Sequence, residues 1–142
     1  MQADLVSVTT PDGFLLSGAY FAPTVQDDSL PVDTLLFFHG DSGHYYNPLY
    51  LRMGEYMAER GLAFLTGNRR GHDHVSSGAP GGPLAGYAYE SVNDSRVDFT
   101  AWLNLLRERG HRRIALGGHS GGAVRSVYAQ STEKFDDVVT VI

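Results

Sequence analysis

The chain has 142 residues, which predicts a single domain, and its composition of 42% hydrophobic and 19% charged residues excludes a disordered chain. Its net charge of −5 provides no basic surface for a phosphate backbone, so we expect no nucleic-acid partner. The absence of cysteine excludes disulfides, thiolate metal sites and a cysteine nucleophile.

The first elements are predicted to be an antiparallel hairpin and a buried strand. The alternation in Leu5–Val8 and the extended pattern of Phe14–Phe21 indicate two strands, which the turn residues Pro11-Asp12-Gly13 connect. The segment Thr34–Phe38 is apolar on both faces, as are strands of a parallel sheet that helices cover. This region therefore predicts a sheet that begins with a hairpin and continues with buried strands.

A helix, a short strand and a long loop are predicted next. Asn47 and Pro48 suit the N-cap and first position of a helix, and Gly61 suits its end. The apolar residues at helical spacing are Leu49, Met53, Tyr56 and Met57. Residues 62–66 form the predicted strand. The segment Gly67–Gly86 is rich in Gly, Pro, Ser and His, and long loops inside compact domains are commonly functional.

The second half of the chain repeats the alternation of helix and strand. Ser91–Asp94 resembles a capping box before a helix that ends at Gly110. The apolar face of that helix comprises Phe99, Trp102, Leu103 and Leu106. A buried strand at 114–116 leads into a helix at 121–130, and the apolar side of this helix is predicted to hold Ala123, Val124 and Val127. The β-branched run within Asp137–Ile142 predicts a last, buried strand.

Strands that alternate with helices predict an α/β fold with a doubly wound, mostly parallel sheet, here with an antiparallel N-terminal hairpin. Ligands of such sheets bind at the carboxyl ends of the strands, where the loops emerge. We therefore expect site residues in the loops at residues 39–47, 67–89 and 117–122.

The segment Gly118-His119-Ser120-Gly121-Gly122 matches the G-x-S-x-G pattern and lies between a predicted strand and a predicted helix. The serine of this pattern occupies a strained, very tight turn, where Gly118 and Gly122 supply the lack of bulk that it requires. The turn exposes the Ser120 hydroxyl, and the helix N-terminus favours a developing negative charge. The pattern predicts Ser120 as a nucleophile; the alternative is a Gly-rich turn with a capping serine.

The loop after Thr34–Phe38 is predicted to complete this site. Acyl transfer requires two N–H donors near the attacked carbonyl. We predict that the backbone N–H groups of Asp41 and Gly121 form this oxyanion hole. His44, Tyr45 and Tyr46 are predicted to line the pocket, although aromatic residues at a helix start also serve in packing.

No cofactor and no metal are expected. Gly117–Gly122 departs from the dinucleotide-binding pattern G-x-G-x-x-G because His119 occupies its third position, and no later acid completes a ribose site. The phosphate-binding pattern G-x-x-x-x-G-K-[ST] does not occur in the chain. The expected ligand is a small-molecule substrate.

The chain resembles the first half of an α/β-hydrolase. The segments that carry the resemblance, in the family's order, are His39-Gly40, Asn68-Arg69-Arg70-Gly71-His72 and Gly118-His119-Ser120-Gly121-Gly122. Pro11–Gly18 is similar to the serine aminopeptidase and dienelactone-hydrolase branches. The chain departs from the family pattern at Asp73, where members often carry Gly, and at Gly121, where they carry bulkier residues. The resemblance implies that residues 1–142 are the N-terminal portion of one domain, an incomplete fold ending after the strand that follows the nucleophile helix.

The family places an acid and then a histidine after the nucleophile. The acids that follow Ser120 are Glu133, Asp136 and Asp137. All three precede the last predicted strand, so we expect them at its amino end, on the side opposite the site.

No histidine follows Ser120, and all six precede it. Those on predicted site-facing loops are His44, His72 and His74. Because such residues more often shape a loop than act as a base, we expect the base and the acid to come from a C-terminal half, either a continuation beyond Ile142 or a second chain.

These features predict a serine hydrolase of carboxylic esters, or of amides or thioesters, that forms an acyl-Ser120 intermediate. The alternatives are a non-catalytic binding protein on the same scaffold and an inactive fragment. No apolar run approaches the ~18 residues of a membrane span, and Met1–Asp4 lacks the features of a signal peptide. We expect a soluble cytoplasmic protein without a membrane partner.

Overall fold

The structure is a computed structural model that describes residues 2–142, and it contains eight strands and three α-helices among them. In chain order these are β1 (Asp4–Thr9), β2 (Leu15–Phe21), β3 (Thr34–Phe38), α1 (Pro48–Ala58), β4 (Ala63–Gly67), β5 (Ser76–Ser77), β6 (Leu84–Ala85), α2 (Ser95–Glu108), β7 (Ile114–Gly118), α3 (Gly121–Glu133) and β8 (Val138–Val141). Six strands form one sheet in the order β1-β2-β4-β3-β7-β8, and β5 pairs with β6. Within residues 2–142, no helix is long and apolar enough to cross a membrane.

The main sheet is mixed, as the sequence predicts. β1 and β2 form the antiparallel N-terminal hairpin, and β2 also pairs antiparallel with β4. β3 runs parallel to both β4 and β7, and β7 runs parallel to β8. The carboxyl ends of β3, β4 and β7 therefore meet at one edge, where the three predicted site loops leave the sheet.

Helices cover the two faces of the sheet. α1 packs on one face through a cluster that includes Phe21 and Phe64, and the larger core on the other face contains Trp102 of α2 and Ala129 of α3. In that core the rings of Phe38 and Phe99 stack with centroids 3.7 Å apart. Burial of the predicted apolar face of α2 is confirmed, because its four members are fully buried.

The predicted apolar face of α1 is partly wrong. Leu49 is 64% exposed and Tyr56 is 53% exposed, whereas Tyr50, Gly54 and Ala58 are buried. The reason is a close approach at Gly54, where a Cβ would overlap the Phe21 ring. The helix lies against β2 at this glycine, so the buried face is centred on a residue that contributes no hydrophobicity to the pattern.

The predicted apolar side of α3 is also wrong. Val124 and Val127 are about 60% exposed, whereas Arg125, Ser126 and Ala129 are buried. The Ser126 hydroxyl donates to a backbone carbonyl of β7 at 3.2 Å and to one in the first turn of α3 at 2.9 Å. Small and hydrogen-bonded residues therefore form the face that meets the sheet.

The predicted loop at 67–86 contains regular structure. β5 and β6 form a two-residue ladder, and a 3₁₀ turn at Tyr87–Tyr89 follows. The Ser91 N–H donates to the Asp94 carboxylate at 2.7 Å. This capping box is confirmed, although the turn that it caps is the 3₁₀ turn Val92–Asp94, which leads directly into α2.

Candidate active site

The chain passes from β7 to α3 through only two residues, His119 and Ser120. Ser120 has φ 52° and ψ −118°, a left-handed conformation that is strained for any residue with a side chain. Its side chain is exposed at the N-terminus of α3. A serine hydroxyl is thus presented to solvent beside the positive end of a helix dipole.

Two glycines make this turn possible. A Cβ on Gly118 would lie 2.5 Å from the backbone carbon of Gly122. A Cβ on Gly122 would lie 2.5 Å from the carbonyl oxygens of Phe38 and His39. Because these neighbours are backbone atoms, they cannot move aside cheaply, and no larger residue fits at either position.

The loop after β3 lies directly beside Ser120. A Cβ on Gly40 would lie 3.4 Å from the Ser120 Cβ and 2.9 Å from the Nδ1 atom of His119. Among residues 2–142, the backbone N–H groups of Asp41 and Gly121 have no hydrogen-bond acceptor. The two unpaired donors therefore belong to residues near Ser120: Gly121 follows it in the chain, and Asp41 follows Gly40 in the adjacent loop.

His39 holds this loop in place as a neutral residue. Its Nδ1–H donates to the Gly40 carbonyl at 2.7 Å, and its Nε2 accepts the Arg69 N–H at 3.4 Å. Burial and the nearby Arg69 charge lower the pKa of His39 to about 3. His39 is therefore a structural support under the loop.

Four charged side chains form a closed ring beside the turn, which we call the charge ring. Its members are Asp41, Arg69, Glu90 and Arg125. Arg125 Nη1 donates to Asp41 Oδ1 at 3.0 Å, and its Nη2 forms an ion pair with Glu90 Oε1 at 2.6 Å. Arg69 donates to Glu90 and, at 3.2 Å, to Asp41 Oδ1, which closes the ring.

Sequence reasoning missed the ring residues Arg69, Glu90 and Arg125 as members of the site. The available signal was in the glycines. A Cβ on Gly121 would overlap the Asp41 carboxylate, and a Cβ on Gly71 would overlap the Glu90 carboxylate. The glycine at position 121 thus leaves the space that the Asp41 side chain occupies.

The three predicted pocket residues lie together at the end of this loop. The rings of His44 and Tyr46 stack with centroids 3.6 Å apart, and Tyr45 meets Tyr46 edge to face. Tyr46 is half exposed. The Tyr45 N–H donates to the Asn68 side chain, so the cluster is tied to the loop after β4. Its role in ligand binding remains a prediction.

Within residues 2–142, no histidine side chain forms a hydrogen bond with the Ser120 hydroxyl. His119 Nδ1 lies 3.4 Å from the Tyr50 hydroxyl. His72 has Asp73 at its Nδ1, 2.7 Å away, and Ser76 at its Nε2, 3.4 Å away.

His111 lies at the amino end of β7, between Tyr20 and Asp33, at distances of 2.9 and 3.2 Å. Burial lowers the pKa of His111, although Asp33 opposes that effect. This position is at the opposite end of the sheet from Ser120.

The acids after Ser120 are also distant from it. Glu133 is paired with Arg96 of α2. Asp137 accepts two hydrogen bonds from Arg107, at 2.6 and 2.7 Å, and its carbonyl accepts the N–H of Ile114 at the start of β7. Asp137 therefore lies at the amino end of the sheet, as predicted. The Ser120 hydroxyl has no hydrogen-bond partner within residues 2–142.

Two further features lie outside this site. Within residues 2–142, no three His, Asp or Glu side chains could together hold a metal ion. A cavity of about 680 Å³ lies between β1 and α2, and Thr9, Arg96 and Glu108 are among its lining residues. It contains none of the predicted site residues.

Comparison with known proteins identifies the fold. No protein-family model and no curated protein matches the chain, but solved structures match it along almost its whole length. Est1E from Butyrivibrio proteoclasticus, solved with ferulic acid, has a TM-score of 0.72 at 20% identity. GrgF from Penicillium sp. sh18, an alpha/beta hydrolase, has a TM-score of 0.75 at 17% identity. This chain has the α/β-hydrolase fold.

The chain spans about half of these hydrolases. It covers 50% of Est1E and 45% of GrgF, while 96% and 99% of its own residues are matched. The Pyrococcus furiosus esterase Pf2001 gives the same result, with a TM-score of 0.69, 22% identity, and 99% of this chain matched to 49% of that one. Residues 2–142 thus match about half of the α/β-hydrolase fold.

The tight turn at Ser120 generates a first prediction. Gly118→Val and Gly122→Val should each unfold or inactivate the protein, because a branched side chain would overlap backbone atoms at the turn. Circular dichroism and ester turnover of the complete protein measure this. Gly81→Ala is the matched control, since a Cβ there has no neighbour within 4 Å and the substitution should cost only about 1–2 kcal/mol for its positive φ. Normal stability and turnover in both valine variants would contradict the claim that this turn requires glycine at positions 118 and 122.

The buried neutral His39 generates a second prediction. The unfolded chain binds a proton near pH 6.5 and the folded chain only near pH 3, so the free energy of unfolding should decrease as the pH falls through this window. Between pH 7 and pH 4.5 it should decrease about 2–3 kcal/mol more in the wild type than in His39→Gln. Urea unfolding at both pH values measures this, with the exposed His74→Gln as control. Equal decreases in the wild type and His39→Gln would contradict it.

Proposed function

We propose that this chain carries the nucleophile of a serine hydrolase that acts on carboxylic esters. The observation that supports this most directly is the exposed Ser120 in a left-handed conformation at the start of α3, with unpaired N–H groups on Gly121, its neighbour in the chain, and on Asp41 in the adjacent loop. Strained residues of this kind cluster at functional sites, and two unpaired N–H donors near a nucleophile suit an oxyanion.

The proposed reaction is a two-step acyl transfer. The Ser120 oxygen bonds to the ester carbonyl carbon while a general base accepts the hydroxyl proton. The carbonyl oxygen becomes an oxyanion, which the N–H groups of Asp41 and Gly121 stabilise. The C–O bond to the alcohol then breaks, the alcohol leaves with the proton, and acyl-Ser120 remains. Water hydrolyses this intermediate by the same steps, releasing the acid and restoring Ser120.

The structural neighbours favour esters over other acyl compounds. Two matched proteins are esterases, from Pyrococcus furiosus and from an Arctic intertidal metagenomic library, and two others are a serine hydrolase from Xanthomonas campestris and a serine hydrolase homologue from Coxiella burnetii. Their identity to this chain is only 17 to 22%. Amides and thioesters share the acyl-transfer chemistry and are the alternative substrates.

We propose that the general base and its acid come from outside these residues, from a continuation of the chain or from a second chain. Serine is a weak nucleophile without an adjacent base, and the Ser120 hydroxyl has no partner within residues 2–142. The remaining half of the matched hydrolases has no counterpart here. A C-terminal half that pairs beside β8 would lie one strand away from β7, the strand that leads to Ser120.

The nucleophile assignment is tested by Ser120→Ala in the complete protein. Turnover of a simple activated ester should fall by a factor on the order of 10⁶, because the atom that forms the covalent bond is removed. The fold should be retained, since the side chain is exposed. Ser131→Ala, on the exposed side of the same helix, is the control and should keep full activity. Residual activity of Ser120→Ala within tenfold of wild type would disprove the assignment and leave a non-catalytic protein as the alternative.

The external base is tested with residues 1–142 alone. We expect no Ser120-dependent ester turnover from this segment, and turnover after the C-terminal half is added, because the half supplies the missing base and acid. Turnover and solubility are measured with and without that half. Unaided hydrolysis by a soluble monomer, lost in Ser120→Ala, would contradict the proposal.

A further inference from the structure

The charge ring lies where a negative charge is unfavourable for the proposed reaction. Asp41 supplies one oxyanion-hole N–H, and its carboxylate lies over Gly121, the residue that supplies the other. A free carboxylate in this position would repel the developing oxyanion and compete with it for the same donors. Arg69 and Arg125 both donate to its Oδ1 atom. The ring has two arginines and two acids, so its formal charge is zero.

Arg125 also fixes the geometry of the two donors. Its Nη1 atom donates at 3.0 Å both to Asp41 Oδ1 in the loop after β3 and to the Gly121 carbonyl in the first turn of α3. Its Nη2 atom is anchored to Glu90, which is itself buried and bound to Arg69. One rigid guanidinium therefore connects the two segments that carry the unpaired N–H groups of Asp41 and Gly121.

Stability alone does not account for the ring. Buried ion pairs rarely stabilise a fold more than apolar packing would, because desolvation offsets their attraction. The Nε atoms of Arg69 and Arg125 are buried without a hydrogen-bond partner within residues 2–142, which adds to that cost. Two glycines, at 71 and 121, are required to make space for its carboxylates.

We propose that Arg125 is a positioning residue for the oxyanion hole, an inference that rests on the proposed function. It keeps the Asp41 carboxylate bound and neutralised, away from the reacting oxygen, and it holds the Asp41 and Gly121 N–H groups at a fixed separation. Arg125 itself does not contact the substrate; it acts through Asp41 and Gly121.

The experiment compares Arg125→Met with the double variant Arg125→Met/Asp41→Asn in the complete protein. Arg125→Met leaves one uncompensated negative charge beside the hole, and Asp41→Asn removes it while keeping the N–H group at position 41. Both kcat and KM are measured with an activated ester, per mole of Ser120 that a fluorophosphonate probe titrates, so that unfolded protein does not count. Arg107→Met is the control, because it breaks another arginine–carboxylate pair at the opposite end of the sheet.

The expected result for Arg125→Met is a fall in kcat of about 10- to 100-fold with a change in KM below about threefold, because a misplaced donor acts on the transition state. The double variant should recover at least about fivefold in kcat over Arg125→Met, and the control should stay within about twofold of wild type. Arg125→Lys, whose single nitrogen cannot bridge Asp41, Gly121 and Glu90, should also lose activity, and it serves if Arg125→Met does not fold.

Two results would overturn the inference alone: wild-type kcat in the Arg125 variants, or a loss that Asp41→Asn does not recover. Failure of the proposed function is distinguishable from both. In that case the unmodified protein would not be labelled at Ser120 and would show no ester turnover that depends on this residue.

Discussion

The left-handed backbone of Ser120 is the constraint on which the candidate site depends. Only two residues connect β7 to α3, and the backbone around Gly118 and Gly122 packs so closely that neither position has space for a Cβ. The turn has three consequences. It exposes the hydroxyl, it directs the N-terminus of α3 at the same point, and it brings Gly121 against the loop after β3. The exposure of the Ser120 hydroxyl, the direction of the α3 dipole and the position of Gly121 therefore all depend on the strained backbone of one residue.

Much of the fold follows from the sequence because strong local signals and tertiary packing agree. Thr34–Phe38 is a central strand with the predicted bounds, and Asn47 and Pro48 begin α1 as its cap chemistry requires. The faces of α1 and α3 did not follow from hydrophobicity. In both helices the residues nearest the sheet include glycine, serine or alanine. These small residues let the helix approach the sheet closely, but a search for apolar residues at helical spacing does not select them.

The site was predictable only where a motif specifies backbone geometry. The Gly118–Gly122 motif fixes the position of Ser120, and the paired strands β3 and β7 bring the Asp41 loop beside it. The charge ring could not be foreseen, because its members come from four separate segments and pair only after folding. Its traces in the sequence were two glycines, Gly71 and Gly121. Gly121 departs from the family pattern, and the structure gives this departure a physical reason: a side chain there would displace the Asp41 carboxylate.

The central claim is that Ser120 is an activated nucleophile, and covalent labelling of the complete protein tests it most directly. The protein is incubated with a fluorophosphonate, digested, and mapped by mass spectrometry. We predict one phosphonate per chain, on the peptide that contains Ser120, with loss of labelling when a substrate ester is present in excess. Labelling on another serine, such as Ser76 beside His72, or no labelling of a folded and complete protein, would contradict the account.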